Sequence, residues 1–252
     1  MGFQSWFYNN YKYLNYPLSF YLISRKPTRI LKGFIELSKI FLFKTKLMNY
    51  NVNERIIERP FALNHLPNVK SKILDIGCAD SILPLEMASL GHTVTGLDIK
   101  KYPFEHPNFT LQRGDITKLS FQDKSYDVVT CISTIEHMGL EYALGEKPGK
   151  EDNRKDKECL KIIYKILKSD GRLILTTPFG KSQVRSEGRV YGQEDIQDLF
   201  KEFVIEEQKF YVKEGKHWIR KEPNELNKEA VTLIVATKRP NIKVPALDNK
   251  YY

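Results

Sequence analysis

Apolar positions in this chain fall into short runs separated by polar turns, and their period switches repeatedly between two and three to four. The clearest run opens residues 72–90, KILDIGCADSILPLEMASL. Ile73, Leu74 and Ile76 predict a short buried strand, 75–81 a tight turn, and Ile82, Leu83, Leu85, Met87 and Ala88 a following helix. Asp80 or Ser81 can cap that helix, and Pro84 is tolerated in its first turn. Residues 92–97 (HTVTGL) predict a second strand ending at Asp98. A third, 109–113, ends in Gly114-Asp115-Ile116, and a fourth, 126–131, in Ile132-Ser133-Thr134. The fourth is apolar on both faces (Val128, Val129, Cys131), as a strand between two helical layers should be.

Downstream, residues 153–168 predict an amphipathic helix carrying Leu160, Ile163, Ile166 and Leu167 and closed by Ser169-Asp170-Gly171. Residues 172–177 follow as a fifth strand, stopped by Pro178-Phe179-Gly180. A short helix at 193–200 and strands at 203–211 and 230–238 (AVTLIVATK) complete the set. Residues 212–228 lie between those strands and hold His217, Trp218, Ile219 and Arg220, which read equally as a substrate wall or as packing.

Some stretches break this alternation. Residues 100–108 contain two prolines and no helical period, so the second crossover helix is stunted. Residues 141–157 are polar, with Gly145, Pro148 and Gly149, and predict a loop long enough to be a lid or substrate loop. Residues 53–66 predict a short helix. Residues 28–47 predict a two-faced one, with Leu31, Phe34, Ile35, Leu37, Phe41 and Leu42 on one side and Arg29, Lys32, Glu36, Lys39 and Lys46 on the other. Charges at that density forbid a membrane span, which needs ~20 mostly apolar residues. Residues 1–27 are aromatic and asparagine-rich, and they fit neither a signal peptide nor a myristoylation pattern.

Charge sharpens this division. Residues 1–60 hold ten Lys/Arg and three Asp/Glu, or +7 of the chain's formal +9, and thirteen of the thirty aromatic residues fall in the first fifty positions. The organisation expected is a basic aromatic N-terminal helical extension (1–66), a ligand-binding body (67–240) and a loose tail (241–252). The extension can cover the cofactor edge, a protein partner or an anionic membrane surface through residues 1–48. Nucleic acid ranks behind these. Cys78, Cys131 and Cys159 have no metal-ligand spacing and read as free thiols of a reducing, cytoplasmic compartment, with peripheral membrane attachment as a variant.

The chemistry-bearing positions gather at strand ends. A strand, a glycine turn and a helix start make a nucleotide-type site, and Gly77 lets the backbone pass close to a ligand. The dinucleotide pattern GxGxxG is not met, because Ala79 is followed by no glycine until Gly91. Asp75 before the glycine suits an ammonium group better than a phosphate. Asp98, at the tip of the second strand, is placed to accept hydrogen bonds from ribose hydroxyls. Upstream, Glu54, Arg55 and Glu58 read either as a solvated charged face or as contacts to the site, with Arg55 suited to a carboxylate.

As an ordered set over residues 71–180, LDIGCAD, VTGLDI, LQRGDI, SYDVVTCISTIEH and LKSDGRLILTTPFG resemble the successive motifs of class I S-adenosylmethionine-dependent methyltransferases. The resemblance implies an α/β fold: a Rossmann-like, doubly wound, seven-stranded sheet with an antiparallel last strand. It implies S-adenosylmethionine as cofactor, with Asp75 and Gly77 at the methionine end, Asp98 at the ribose, and Asp115 and Ile116 at the adenine. Cys78, Ala79, Ile99, Ile132, Ser133 and Arg55 complete the cofactor-binding set. The family usually has glycines where Ala79 and Ser81 stand. The Ile-Glu-His run is similar to that of ubiquinone-biosynthesis O-methyltransferases and their relatives, some of which hold a metal there. Ser133 stands where another acid would help, and no metal is assigned.

His137 is the candidate general base, with a suitable intrinsic pKa and a place just after a strand tip, and Glu136 is second. A purely structural role for the pair is the alternative. The expected function is O-methylation of a small-molecule, glycan or lipid-linked acceptor. An RNA methyltransferase stands second, although the chain has no Asn/Asp-Pro-Pro-Tyr motif after the fourth strand. A non-catalytic binding subunit is third, and a nicotinamide dehydrogenase last for want of glycines.

Overall fold

A computed structural model of the chain describes residues 53–140, 154–185, 188–226 and 228–239. The expected helix at 28–47, residues 141–153 of the loop expected at 141–157, and the tail lie outside the described residues, and the last three residues of that expected loop, 155–157, are helical instead. Helix α1 (Arg55–Asn64) precedes β1 (Lys72–Ile76), and α2 (Leu83–Ser89) connects β1 to β2 (Thr93–Asp98). Then come β3 (Phe109–Arg113), β4 (Tyr126–Ile132), α3 (Lys155–Ile166) and β5 (Leu167–Phe179). A small ribbon, β6 (Gln183–Arg185) and β7 (Gly188–Val190), leads to α4 (Gln193–Leu199). The chain closes with β8 (Phe203–Glu214), β9 (His217–Lys221) and β10 (Ala230–Lys238).

The main sheet has the order β3-β2-β1-β4-β5-β10-β8-β9. Strands β1 to β5 run parallel, while β10 lies antiparallel between β5 and β8, as the resemblance implies. The strand beyond the expected seven is β9, which pairs with β8 through a turn at Gly215 (φ 60°). Trp218 therefore sits on an edge strand. It packs against the apolar cluster that contains Phe61 and Val231, which favours packing over a substrate wall.

Successive residues of the central strands divide between two cores, as period-two geometry requires. Leu74, Val129 and Leu173 face the layer of α3 and α4, with Leu160, Ile163, Ile196 and Phe203. Ile73, Val128 and Ile174 face α1 and α2, with Phe61, Ala62, Leu83 and Met87. That alternation is the physical content of a doubly wound sheet. Each fully buried Leu or Ile in these layers contributes roughly 1.5–3 kcal/mol.

Local signals explain most element boundaries. The N-cap of α2 is Ile82, not Asp80 or Ser81 as expected; Ser81 Oγ, one residue earlier, still accepts from the backbone N–H of Leu83 (3.1 Å), and Pro84 lies in the first turn as expected. Asn108 and Tyr102 tie the helix-less 99–108 segment to α2 and its entry, through Ala88 O (3.2 Å) and Ser81 O (2.8 Å). Residues 169–171 do not close a helix as expected. Instead α3 ends at Ile166, and the register against β4 jumps from Tyr126–Leu167 to Val128–Arg172, leaving 168–171 as a bulge at the start of β5. Lys168 is held there by Asp127 (2.6 Å). Among the described residues no helix is long and apolar enough to cross a membrane.

Candidate active site

The tips of β1, β2 and β4 meet at the carboxyl edge of the sheet, where open α/β folds bind ligands. Asp75 enters from β1 and is buried. Its Oδ1 accepts from Thr130 Oγ1 of β4 at 2.6 Å, whereas Oδ2 is buried with no hydrogen-bond partner among the described residues. Burial pushes its carboxyl up to about 7, against the pull of the Thr130 hydroxyl and the Arg55 cation. A buried carboxylate oxygen left without a donor is rare, because it forfeits a hydrogen bond that water would have supplied.

Gly77 follows, with φ 77°, and its N–H donates to Leu97 O at 2.8 Å. A Cβ at this position would lie 2.1 Å from Thr134 Oγ1. Glycine is needed here because the tip of β4 packs directly on the turn, a closer approach than any side chain permits. Cys78 and Ala79, both buried, form a single 3₁₀ turn with the exposed Asp80. The N–H of Ala79 donates to Asp98 Oδ2 at 2.8 Å, and that of Lys100 to Asp98 Oδ1 at 2.8 Å. Asp98 thus joins the tip of β2 to the glycine turn and keeps one lone pair on each oxygen for a further donor. Ile99 beside it is 40% exposed.

At the tip of β3, Asp115 caps the turn Ile116–Lys118, accepting from Thr117 N (2.9 Å) and Thr117 Oγ1 (2.8 Å). Burial opposes its ionisation, but the Thr117 donors and Lys155 hold its carboxyl below the ordinary range. Ile116 is buried next to it.

The tip of β4 carries more structure than the sequence suggests. Ser133 has φ 42°, a left-handed conformation unfavourable for a non-glycine residue. Its N–H donates to Thr176 O (3.1 Å) and Thr176 Oγ1 (3.0 Å) of β5, and its hydroxyl donates to Glu58 Oε1 (2.5 Å). Glu58 also accepts from Thr176 Oγ1 (2.6 Å) and, on Oε2, from Arg55 Nη1 (2.9 Å). The same Arg55 nitrogen donates to Ile132 O at 3.2 Å. Glu58 is 0% exposed, so the solvated-face reading of residues 54–58 does not hold for it. The helix turns this carboxylate inward, and two strand hydroxyls and Arg55 satisfy it there.

Glu136 and His137 lie on the 3₁₀ turn Ile135–His137 directly after β4. Glu136 is buried, with Thr177 Oγ1 near its Oε2 (3.4 Å), and burial raises its carboxyl to about 8. His137 is exposed, yet the protein packed around its ring, followed by Lys100, Arg55 and Arg189, lowers its pKa. At neutral pH the pair is therefore a protonated acid behind a neutral imidazole. Strand β7 runs over both: a Cβ on Gly188 would come within 3.1 Å of Glu136 Cγ and 3.2 Å of the His137 ring. Arg189 Nη1 donates to Met138 O, and Tyr191 Oη donates to Ile135 O (3.2 Å), so the ribbon is fastened to this turn.

The structure thus brings Arg55, Asp75, Gly77, Cys78, Ala79, Asp98, Ile132, Ser133, Glu136 and His137 to one edge, with Asp115 and Ile116 at the neighbouring tip of β3. Sequence reasoning missed Thr130, Thr176 and Gly188, and left Glu58 open between a solvated face and a contact to the site. The one available signal was the i, i+3 spacing of Arg55 and Glu58, which fits an intrahelical pair.

Comparison with known proteins bears on this edge. Residues 74–175 match the family model described as a methyltransferase domain. A ubiquinone biosynthesis O-methyltransferase of Vibrio parahaemolyticus is 40% identical over 79 residues, 27% of this chain and 33% of that protein. One from Rickettsia typhi is 34% identical over 94 residues, 34% of this chain and 37% of that protein. The chain therefore matches about a third of the length of these curated relatives. Among solved structures, the Burkholderia thailandensis 1,6-didemethyltoxoflavin-N1-methyltransferase, with bound 1,6-didemethyltoxoflavin and S-adenosylhomocysteine, aligns with TM-score 0.56 and 12% identity over 92% of this chain and 90% of that one. The cyclase SpnF aligns with TM-score 0.56 and 14% identity over 73% of this chain and 80% of that one. At these identities the structural likeness concerns the fold.

Proposed function

We propose, because residues 74–175 match the model of a methyltransferase domain and the ordered motifs resemble those of class I S-adenosylmethionine-dependent methyltransferases, that this chain methylates a hydroxyl of a small-molecule or glycan acceptor. The observation that carries the cofactor half of this reading is the buried, unpartnered Oδ2 of Asp75 beside the glycine turn. An ammonium group would satisfy it, and the aminoacyl end of S-adenosylmethionine offers one. Among the described residues Arg55 uses only Nη1 on protein acceptors, so its remaining donors suit the carboxylate of the same end. The free lone pairs of Asp98 suit the ribose hydroxyls, with Cys78, Ala79 and Ile99 as flanking walls. Asp115 and Ile116 suit the adenine, and Ile132 and Ser133 border the methionine end.

S-adenosylmethionine, when bound, supplies a methyl group activated on a sulfonium. The chain must then hold the acceptor oxygen in line and remove its proton. His137 is neutral at physiological pH and reaches solvent beside the β4 tip, which supports it as the base. Glu136, kept protonated by burial, adds no second negative charge and backs the turn that carries the imidazole. The preference for oxygen rests on the curated relatives, which are named as O-methyltransferases.

The test uses the full chain, labelled S-adenosylmethionine and a panel of hydroxylated aromatics and sugars, with S-adenosylhomocysteine as the product read. His137→Ala should lower turnover by roughly 10²–10⁴ while leaving S-adenosylhomocysteine affinity unchanged. Full turnover by His137→Ala across pH 6–9 would remove the base assignment.

A further inference from the structure

Among the described residues, Glu58 is the one fully buried acidic group at this edge whose work is unassigned. It sits on α1, outside the sheet, and yet joins three elements. Its Oε1 receives the hydroxyls of Ser133 (2.5 Å) and Thr176 (2.6 Å) from the ends of β4 and β5, and its Oε2 receives Arg55 Nη1 (2.9 Å). Burying a carboxylate costs several kcal/mol unless its lone pairs are met, and here three donors meet them. An apolar residue would fill the same volume without that cost. What the carboxylate adds is orientation.

Arg55 shows what is being oriented. Its side chain is 23% exposed, against 0% for Glu58, and one nitrogen is committed inward to Glu58 and to Ile132 O (3.2 Å). A guanidinium is a rigid plane, so fixing Nη1 at two acceptors fixes where Nη2 and Nε point. They are left without a protein acceptor among the described residues, on a group close enough to Asp75 and Glu136 to oppose the rise that burial imposes on both carboxyls. Arg55 and the unpartnered Oδ2 of Asp75 thus present one cationic and one anionic pole at the same edge, the complement of an α-amino acid zwitterion.

We infer that Glu58 is a positioning residue that locks the Arg55 guanidinium, through the Ser133–Thr176 hydroxyl pair, for the carboxylate of the cofactor's amino-acid end. This rests on the proposed cofactor reading and specifies which half of the ligand α1 serves. A residue that merely stabilised the fold would affect all ligands of the edge alike. Glu58 should affect only those that carry the amino-acid end.

The experiment compares two ligands on the full chain by calorimetry: S-adenosylhomocysteine, which has the amino-acid end, and 5′-methylthioadenosine, which lacks it. Glu58→Gln keeps an oxygen for the two hydroxyls but turns an amide nitrogen toward Arg55. The expected result is at least about a tenfold loss of S-adenosylhomocysteine affinity, with methylthioadenosine affinity held within about twofold. If Glu58→Gln does not fold, Thr176→Val removes one of the donors that orient the carboxylate and should give the same selective loss on a smaller scale. Equal weakening of both ligands, or no change in either, while the wild-type chain binds both, would overturn the inference alone. A wild-type chain that binds neither would overturn the cofactor reading and this inference with it.

Discussion

At the scale of single residues, Gly77 and Asp75 carry the most testable physics. Gly77→Ala would combine a left-handed φ of 77° with a Cβ 2.1 Å from Thr134 Oγ1. The backbone cost alone is about 1–2 kcal/mol, and displacing the β4 tip adds about 1–3 kcal/mol. Urea unfolding should show the combined loss. Thr134→Gly in the same chain should recover part of it, so the two changes should be non-additive. Additive losses would mean that the turn and the β4 tip are not in contact.

Asp75 makes a prediction about pH. Its carboxyl is raised from 3.8 to about 7 in the folded chain, so the folded state holds a proton that the unfolded chain gives up earlier. The sign follows from linkage: this stabilisation is fully present below about pH 4 and is lost as pH rises through about 7. Glu136, raised to about 8, acts in the same direction over a slightly higher window. Asp75→Asn should therefore match wild type near pH 4 and exceed it at pH 8, by on the order of 1–4 kcal/mol without ligand. Denaturant midpoints of the two chains across that range check this, and parallel curves would refute it.

At the scale of elements, α1 belongs energetically with the sheet. Phe61 and Ala62 are buried in the layer over Ile73 and Val128, and Arg59 pairs with Glu86 of α2. A chain starting at residue 49 should melt cooperatively, whereas one starting at residue 67 should lose at least about 3 kcal/mol and its ligand affinity. Equal stability of the two truncations, by urea midpoint, would make α1 an ornament.

The same elements show what a sequence can disclose. The tips of β1 to β4 are legible because apolar runs end abruptly in Asp75, Asp98, Asp115 and Ser133, and a strand's end is a local feature. Strand β9 is not legible, since His217–Lys221 alternates no apolar residues and forms only because β8 offers it an edge. The inward turn of Glu58 is hidden for a related reason. A carboxylate on an amphipathic helix reads as solvent-facing until β4 and β5 supply hydroxyls from residues 75 and 118 positions away in sequence. Likewise Gly188 gains its meaning only when β7 folds back over His137.

At the scale of the whole molecule, the sheet order with an antiparallel β10 provides a scaffold, and the same architecture also houses the cyclase SpnF. Function must therefore be argued from the carboxyl edge and not from the fold. There a partly satisfied Asp75, a half-engaged Arg55 and an Asp98 with spare lone pairs form the site we propose for S-adenosylmethionine. The most direct test is calorimetric titration of the full chain with S-adenosylhomocysteine, beside an Asp98→Ala variant. Wild type should bind saturably, and the variant should lose at least about 1.5–3 kcal/mol, roughly tenfold or more. No binding by wild type, or equal affinity in Asp98→Ala, would contradict this assignment.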